Sequence, residues 1–294
     1  MKARLSKRNM TKPLNIAHRG GAQLWPENTI FAFVSAAKAG YDGAELDVQM
    51  TRDEKLVVFH DFRLKRELCR IADGRWVRPK PIARLPLIRE LTFAELQAFD
   101  VGRPKPGTLY ALKHPDLRAH DGEHMPSLAQ VIAGVRAVKP DFQLFIEIKT
   151  SLKDPALSAA PEAVAEAVLA ELRDAKFREH AVLVGFDWRG LIHAKRLEPE
   201  LRCWFSTARG ARVTADSIKQ AGGDGWFCSL DRVRARSVKE GRALGLEYGV
   251  WTVNTARDMS ALADLGVDAI CTDRPDRLRT LLEDYSPSNR AVER

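Results

Sequence analysis

Short apolar runs recur along this chain, and after nearly every one comes a stretch with helical spacing. Strands are expected at 14–18, 43–48, 142–149, 181–186, 202–207, 225–229, 247–253 and 269–272, each followed by a helix. Regular β–α alternation builds a parallel sheet, because a parallel neighbour is reached only by a crossover long enough to hold a helix. Eight such units in 294 residues predict an α/β protein whose sheet closes on itself, a (β/α)8 or TIM barrel. The competing arrangement is an open, doubly wound sheet, but no GxGxxG turn follows the first strand.

Helix ends are marked by chemistry. Pro26-Glu27-Asn28-Thr29 precedes a helical run that stops at Gly40, Ser127 is placed to cap the next helix, and Pro161 opens another. The rhythm breaks once. Residues 62–124 carry prolines at 79, 81, 86, 104, 106 and 115 and one helix-like piece, LTFAELQAF. They read as an insertion after the second strand, a small subdomain or lid on the catalytic side. The expected organisation is a flexible basic tail at 1–13, the barrel with its insertion at 14–285, and a C-terminal tail at 286–294.

A hydrophobic fraction of 45% supports a sizeable core, and no segment is long and apolar enough to cross a membrane. The N-terminus is basic but lacks the apolar stretch of a secretory signal. Four cysteines, at 69, 203, 228 and 271, show no CxxC spacing and are expected as reduced thiols in a reducing compartment, the cytoplasm. The net charge of +8 admits nucleic acid, an anionic membrane, a phosphate-bearing substrate or simply a solvated basic surface. Basic residues are dispersed, with no cluster interleaved with aromatics, which argues against nucleic acid.

In a TIM barrel the working residues lie at strand C-termini. His18 and Arg19 end the first strand, and Glu45 and Asp47 share one face of the second. Glu147 and Lys149 share a face of the third. Trp251 and Asn254 close the seventh strand, and Asp273 the eighth. Charges at alternate positions of a buried strand are costly without an opposite charge. Three carboxylates on neighbouring strands make an oxygen-rich site that suits one divalent metal, Mg²⁺ or Ca²⁺, better than zinc. Arg19 and Lys149 beside it fit an anionic phosphoryl group. His18 and His60 are the well-placed groups that titrate near neutrality, as acid–base chemistry requires. Glu27 is explained equally well by the helix dipole or by a supporting role behind the site. Asp273 and Arg274 read chiefly as fixing the last βα turn.

The ordered set AHRGG, PENT, GAELDVQMTRD, VVFHD, MPSL, FIEIK, VWTVN and TDRP resembles the glycerophosphodiester phosphodiesterase family, over roughly Asn15 to Leu282. That resemblance implies the same barrel with an insertion after the second strand. It implies His18 and His60 as the acid/base pair, with Arg19 and Lys149 on the phosphate. Glu45, Asp47 and Glu147 would hold the metal, and Trp251, helped by Phe186, would contact the alcohol moiety. The implied reaction hydrolyses a small-molecule glycerophosphodiester to sn-glycerol 3-phosphate and an alcohol. It leaves open which histidine is acid, and whether water or a glycerol hydroxyl attacks. Two other functions are compatible: cleavage of lysophospholipids on the same metal site, which calls for exposed apolar residues in the insertion, and a non-catalytic binding barrel.

Overall fold

The computed structural model describes residues 12–78, 84–208, 210 and 213–285. Most of the 1–13 segment, and all of 286–294, lie outside the described residues. Eight parallel strands form the barrel: β1 (Leu14–His18), β2 (Gly43–Met50), β3 (Gln143–Ile148), β4 (Ala181–Gly185), β5 (Arg202–Thr207), β6 (Gly225–Ser229), β7 (Glu247–Trp251) and β8 (Ala269–Thr272). Each pairs with the next in sequence, and β1 closes the ring by pairing with both β2 and β8. The strands expected from sequence are all present, their ends shifted by two residues or fewer.

The helices between them are α1 (Ile30–Lys38), α2 (Leu128–Val138), α3 (Pro161–Asp174), α4 (Trp188–Leu197), α5 (Ala215–Gln220), α6 (Ala235–Ala243), α7 (Ala256–Leu265) and α8 (Pro275–Glu283). Their starts follow the local chemistry. The Thr29 hydroxyl accepts the Ala32 N–H at 3.1 Å, and Ser127 caps α2 reciprocally with Gln130. At the far end of α7, Gly266 takes the left-handed conformation that ends a helix (φ 75°). No helix among the described residues is long and apolar enough to cross a membrane.

Alternation along each strand divides the core in two. Outward residues such as Ala44, Leu46, Val48, Leu144 and Ile146 pack against the helices in one large cluster. Inward residues Ile16, Phe145, Val182, Val184, Trp204, Phe227, Ala269 and Cys271 fill the barrel itself. The Trp204 indole needs room that its neighbours leave: a Cβ on Gly225 would lie 2.6 Å from the ring, and one on Gly249 2.7 Å. All four cysteines are buried and unpaired.

The run Leu56–Val58 is a strand, but not a stave of the barrel. It lies antiparallel on the end of β2, with Val48 opposite Val58. Beyond it, the described part of 62–124 forms a two-stranded ribbon (Arg70–Ile71 with Phe99–Asp100) and short helices at Phe93–Leu96 and Leu109–Lys113. Its own small core, including Leu64, Cys69, Ile88, Leu96 and Val101, packs on Val57 and Phe59. Residues 79–83, with two of the insertion's prolines, lie outside the described residues.

Because the Trp204 ring has only backbone on its two glycine neighbours, Gly225→Ala should overpack the barrel and cost about 1–3 kcal/mol. Urea denaturation would show a lower midpoint at unchanged slope. An unchanged midpoint would mean that the indole can move aside.

Candidate active site

The inward alternation that fills the lower barrel with apolar groups continues upward as charge. Glu45 and Asp47 follow Gly43 on β2, Glu147 follows Phe145 on β3, and the register sets His18 beside Glu45 and Asp47 beside Glu147. All three carboxylates are buried, and each offers an oxygen within 4.8 Å of the others. Lys149 continues the same face of the chain past β3. Its Nζ bridges Asp47 Oδ1 and Glu147 Oε1, at 3.0 Å each.

Arg19 leaves β1 in a tight turn, with φ of 50° and then Gly20 and Gly21 also at positive φ. A Cβ on Gly20 would come within 2.7 Å of Ala32 Cβ, so this turn packs directly on α1. The arrangement turns the guanidinium back over the carboxylates. Its Nη1 donates to Glu27 Oε1 at 3.0 Å, and its Nε lies 3.3 Å from Asp47 Oδ2. The Arg19 backbone N–H donates to Glu45 Oε2 at 3.2 Å, and Asn28 Nδ2 donates to Asp47 Oδ2 at 2.9 Å. Glu27 thus faces Arg19, while it also lies just ahead of the Thr29 cap of α1.

The two histidines are held differently. His18 Nδ1 bonds Asp273 Oδ1 at 2.6 Å, leaving Nε2 toward the acidic cluster, 3.8 Å from Glu45. Asp273 is gripped in turn by Asn254, whose Nδ2 donates to its Oδ2 at 2.7 Å while Oδ1 accepts its backbone N–H at 2.9 Å. His60 comes from the loop after the antiparallel strand. Gln49 on β2 pins that loop by donating to the carbonyls of Phe59 and Asp61, at 2.6 and 2.9 Å. His60 Nδ1 is 3.1 Å from Asp61 Oδ1, and Asp61 pairs with Lys65 at 2.9 Å. Across the mouth Trp251 and Phe186 meet edge to face, their rings 5.3 Å apart.

Electrostatics sort these groups. Burial, then the neighbouring Asp47 and Glu147, push the Glu45 carboxyl well above the usual carboxylate range. Burial works against a charged Asp47 too, but Lys149 and Arg19 hold it well below the usual carboxylate range. Burial opposes charge on Lys149, and Asp47 and Glu147 outweigh it. For His18 burial is likewise outweighed, chiefly by Asp273, which holds the imidazolium above its ordinary range. An all-oxygen donor set with one carboxyl in surplus fits a hard divalent cation.

A model of the Glycerophosphoryl diester phosphodiesterase family matches residues 18–277 of this sequence. The chain belongs to that family, and it is a phosphodiesterase. It is similar to a glycerophosphodiester phosphodiesterase of Caldanaerobacter subterraneus subsp. tengcongensis, 29% identical over 92% of this chain and 98% of the relative. Among solved structures it is similar to a putative glycerophosphoryl diester phosphodiesterase from Silicibacter pomeroyi, 30% identical, with a TM-score of 0.84 over 93% of this chain and 94% of that one. An Oleispira antarctica phosphodiesterase, in complex with its product sn-glycerol 3-phosphate, shares the fold at 22% identity and a TM-score of 0.71, covering 92% of this chain and 97% of that one.

The structure gathers His18, Arg19, Glu27, Glu45, Asp47, Glu147 and Lys149 of this phosphodiesterase into one network, with His60 beside it and the Trp251–Phe186 pair across the mouth. Beside its place in the last βα turn, Asp273 braces His18 with its carboxylate and is braced by Asn254. Arg274 does fix the turn, pairing with Asp276 at 2.7 Å, and it also reaches Asp116 of the insertion at 2.6 Å. Asp273 was findable by parity, since Ala269 and Cys271 already face inward. Tyr110, which donates to Glu27 from the insertion, left no such periodic signal.

Burial opposes the charge on Asp273, but His18 and Asn254 hold its carboxyl down to about 2. A carboxyl lowered on folding stabilises the protein above its unfolded value, and that contribution is lost as the pH falls through the folded one. The stability difference between wild type and Asp273→Asn should therefore be largest above about pH 4 and shrink toward pH 2. Urea unfolding at several pH values would check this, and a constant difference would contradict it.

Proposed function

We propose that this chain hydrolyses glycerophosphodiesters to sn-glycerol 3-phosphate and an alcohol, with His18 and His60 as the acid–base pair. Glu45, Asp47 and Glu147 would hold one Mg²⁺ or Ca²⁺, and Arg19 and Lys149 would bind the phosphate. The observation that carries the reading is three buried carboxylates within 4.8 Å of one another, beside a carboxylate-braced histidine and two partly buried cations. The name of the Caldanaerobacter relative supports the substrate class.

A phosphodiester carries one negative charge and gains another as the nucleophile adds. Arg19 and Lys149, already desolvated and oriented by carboxylates, meet that charge without reorganising, which is where such sites gain most of their rate. When bound, a divalent cation offsets charge on the phosphoryl oxygens. One histidine accepts the proton of the attacking hydroxyl as its bond to phosphorus forms. The other protonates the leaving oxygen as its bond to phosphorus breaks. Asp273 keeps His18 turned with Nε2 toward the site, and Gln49 fixes the loop that carries His60. Trp251 and Phe186 offer an aromatic wall for the alcohol moiety.

The test is glycerol 3-phosphate release from a panel of glycerophosphodiesters, with and without EDTA and with Mg²⁺ or Ca²⁺ restored. His18→Ala and His60→Ala should each lose on the order of 10²-fold or more while the circular dichroism spectrum is kept. Near wild-type turnover by either variant removes the acid–base assignment, and full activity in EDTA removes the metal.

A second substrate class is favoured by one observation. Leu109 and Leu112, on the short insertion helix that also carries Tyr110, are 66% and 73% exposed. Lysophospholipid cleavage would use such side chains to hold an acyl chain. Leu112→Asp should then depress turnover of lysophosphatidylcholine about threefold or more while sparing glycerophosphocholine, on the order of one lost apolar contact.

A further inference from the structure

The phosphate-facing arginine is steadied from outside the barrel. Glu27, between β1 and α1, is buried, and its two oxygens have different partners. Oε1 accepts from Arg19 Nη1 at 3.0 Å, and Oε2 accepts from the Tyr110 hydroxyl at 2.5 Å. Tyr110 belongs to the Leu109–Lys113 helix of the insertion, which starts on a Thr108 cap. Its ring stacks on His114 with centroids 4.1 Å apart, and His114 Nδ1 lies 2.7 Å from the Tyr110 carbonyl oxygen. Lys65 Nζ lies 5.0 Å from the ring centroid. Lys65 also pairs with Asp61, the neighbour of His60.

These contacts over-determine the phenol. Burial first, and then the Glu27 carboxylate, keep its proton on, so it acts as a donor throughout the working range. Without that donor, Glu27 Oε2 would be a buried acceptor with no partner. Such an atom costs more than the hydrogen bond is worth, and the carboxylate would turn to recover one. Arg19 would turn with it. Its Nε is buried without a hydrogen-bond partner, so the guanidinium owes its orientation to Glu27 and to the ion pair with Asp47.

We propose that Tyr110 is a positioning residue for phosphate capture: by fixing the Glu27 carboxylate it aims the Arg19 guanidinium, so that the grip on phosphate depends on the insertion being seated. This rests on the phosphodiesterase reading above, and on Arg19 as its phosphate ligand. It gives the insertion a part in the reaction that needs no contact between Tyr110 and the reacting atoms.

Tyr110→Phe removes one hydroxyl and leaves the stacked ring. The expected result is a rise of about three- to tenfold in KM for glycerophosphocholine and in the inhibition constant of inorganic phosphate, with kcat changed less. A merely structural role would lower the melting temperature without moving the inhibition constant. In an Arg19→Ala background the same change should have little further effect, because the two act in series. Equal losses in both backgrounds, or an unchanged inhibition constant with Arg19 present, would overturn the proposal. Glu27→Gln provides a second variant should the phenylalanine protein fail to fold, and it should raise the phosphate inhibition constant in the same way. If the wild type releases no glycerol 3-phosphate, the functional reading fails. Calorimetric binding of inorganic phosphate to wild type and Tyr110→Phe would still decide the role of Tyr110, with equal affinities counting against it.

Discussion

Repulsion between Glu45, Asp47 and Glu147 is the constraint around which the upper half of this barrel is built. Parallel register between β2 and β3 forces these side chains onto one inward face, where solvent cannot dilute their charge. Everything nearby answers that concentration. Lys149 lies between Asp47 and Glu147, Arg19 is bent back over Asp47 and Glu27, and burial beside its carboxylate neighbours raises the Glu45 carboxyl. A site that holds unlike charges so tightly in low dielectric is poised for a ligand that brings charge of its own. A phosphodiester and a divalent cation are such a pair.

The same site depends on parts that carry no catalytic chemistry. The Gly20–Gly21 turn permits the close approach that puts Arg19 over the cluster. Asn28, Asn254 and Gln49 are neutral side chains, each aimed at a carboxylate or at backbone carbonyls that carry a working residue. The insertion joins in from above, through Tyr110 on Glu27 and Asp116 on Arg274. A barrel mouth lined by charge thus gains its rigidity from hydrogen bonds that span βα loops distant in sequence, as preorganised sites require.

Strand and helix periods made the barrel legible, because buried parallel strands are short apolar runs and their helices are amphipathic. Leu56–Val58 is an apolar run like the staves, and only its antiparallel pairing with β2 shows that it stands outside the ring. Asp273 stands at the end of β8, and its contact with His18 depends on β1 and β8 lying side by side. Glu27 reads two ways in the sequence, and only the fold sets Arg19 and Tyr110 on its two oxygens.

By itself the sequence determined the eightfold alternation, the inward parity of Glu45, Asp47, Glu147 and Lys149, and the helix starts marked by Thr29, Ser127 and Pro161. These are local properties, decided by residues within a turn or a strand of one another. Tertiary structure alone decided which groups meet across the mouth: Asp273 with His18, Tyr110 with Glu27, Arg274 with Asp116. Those contacts join residues 83 to 255 positions apart. Their geometry follows from ring closure and from the seating of an irregular insertion, neither of which leaves a period in the chain.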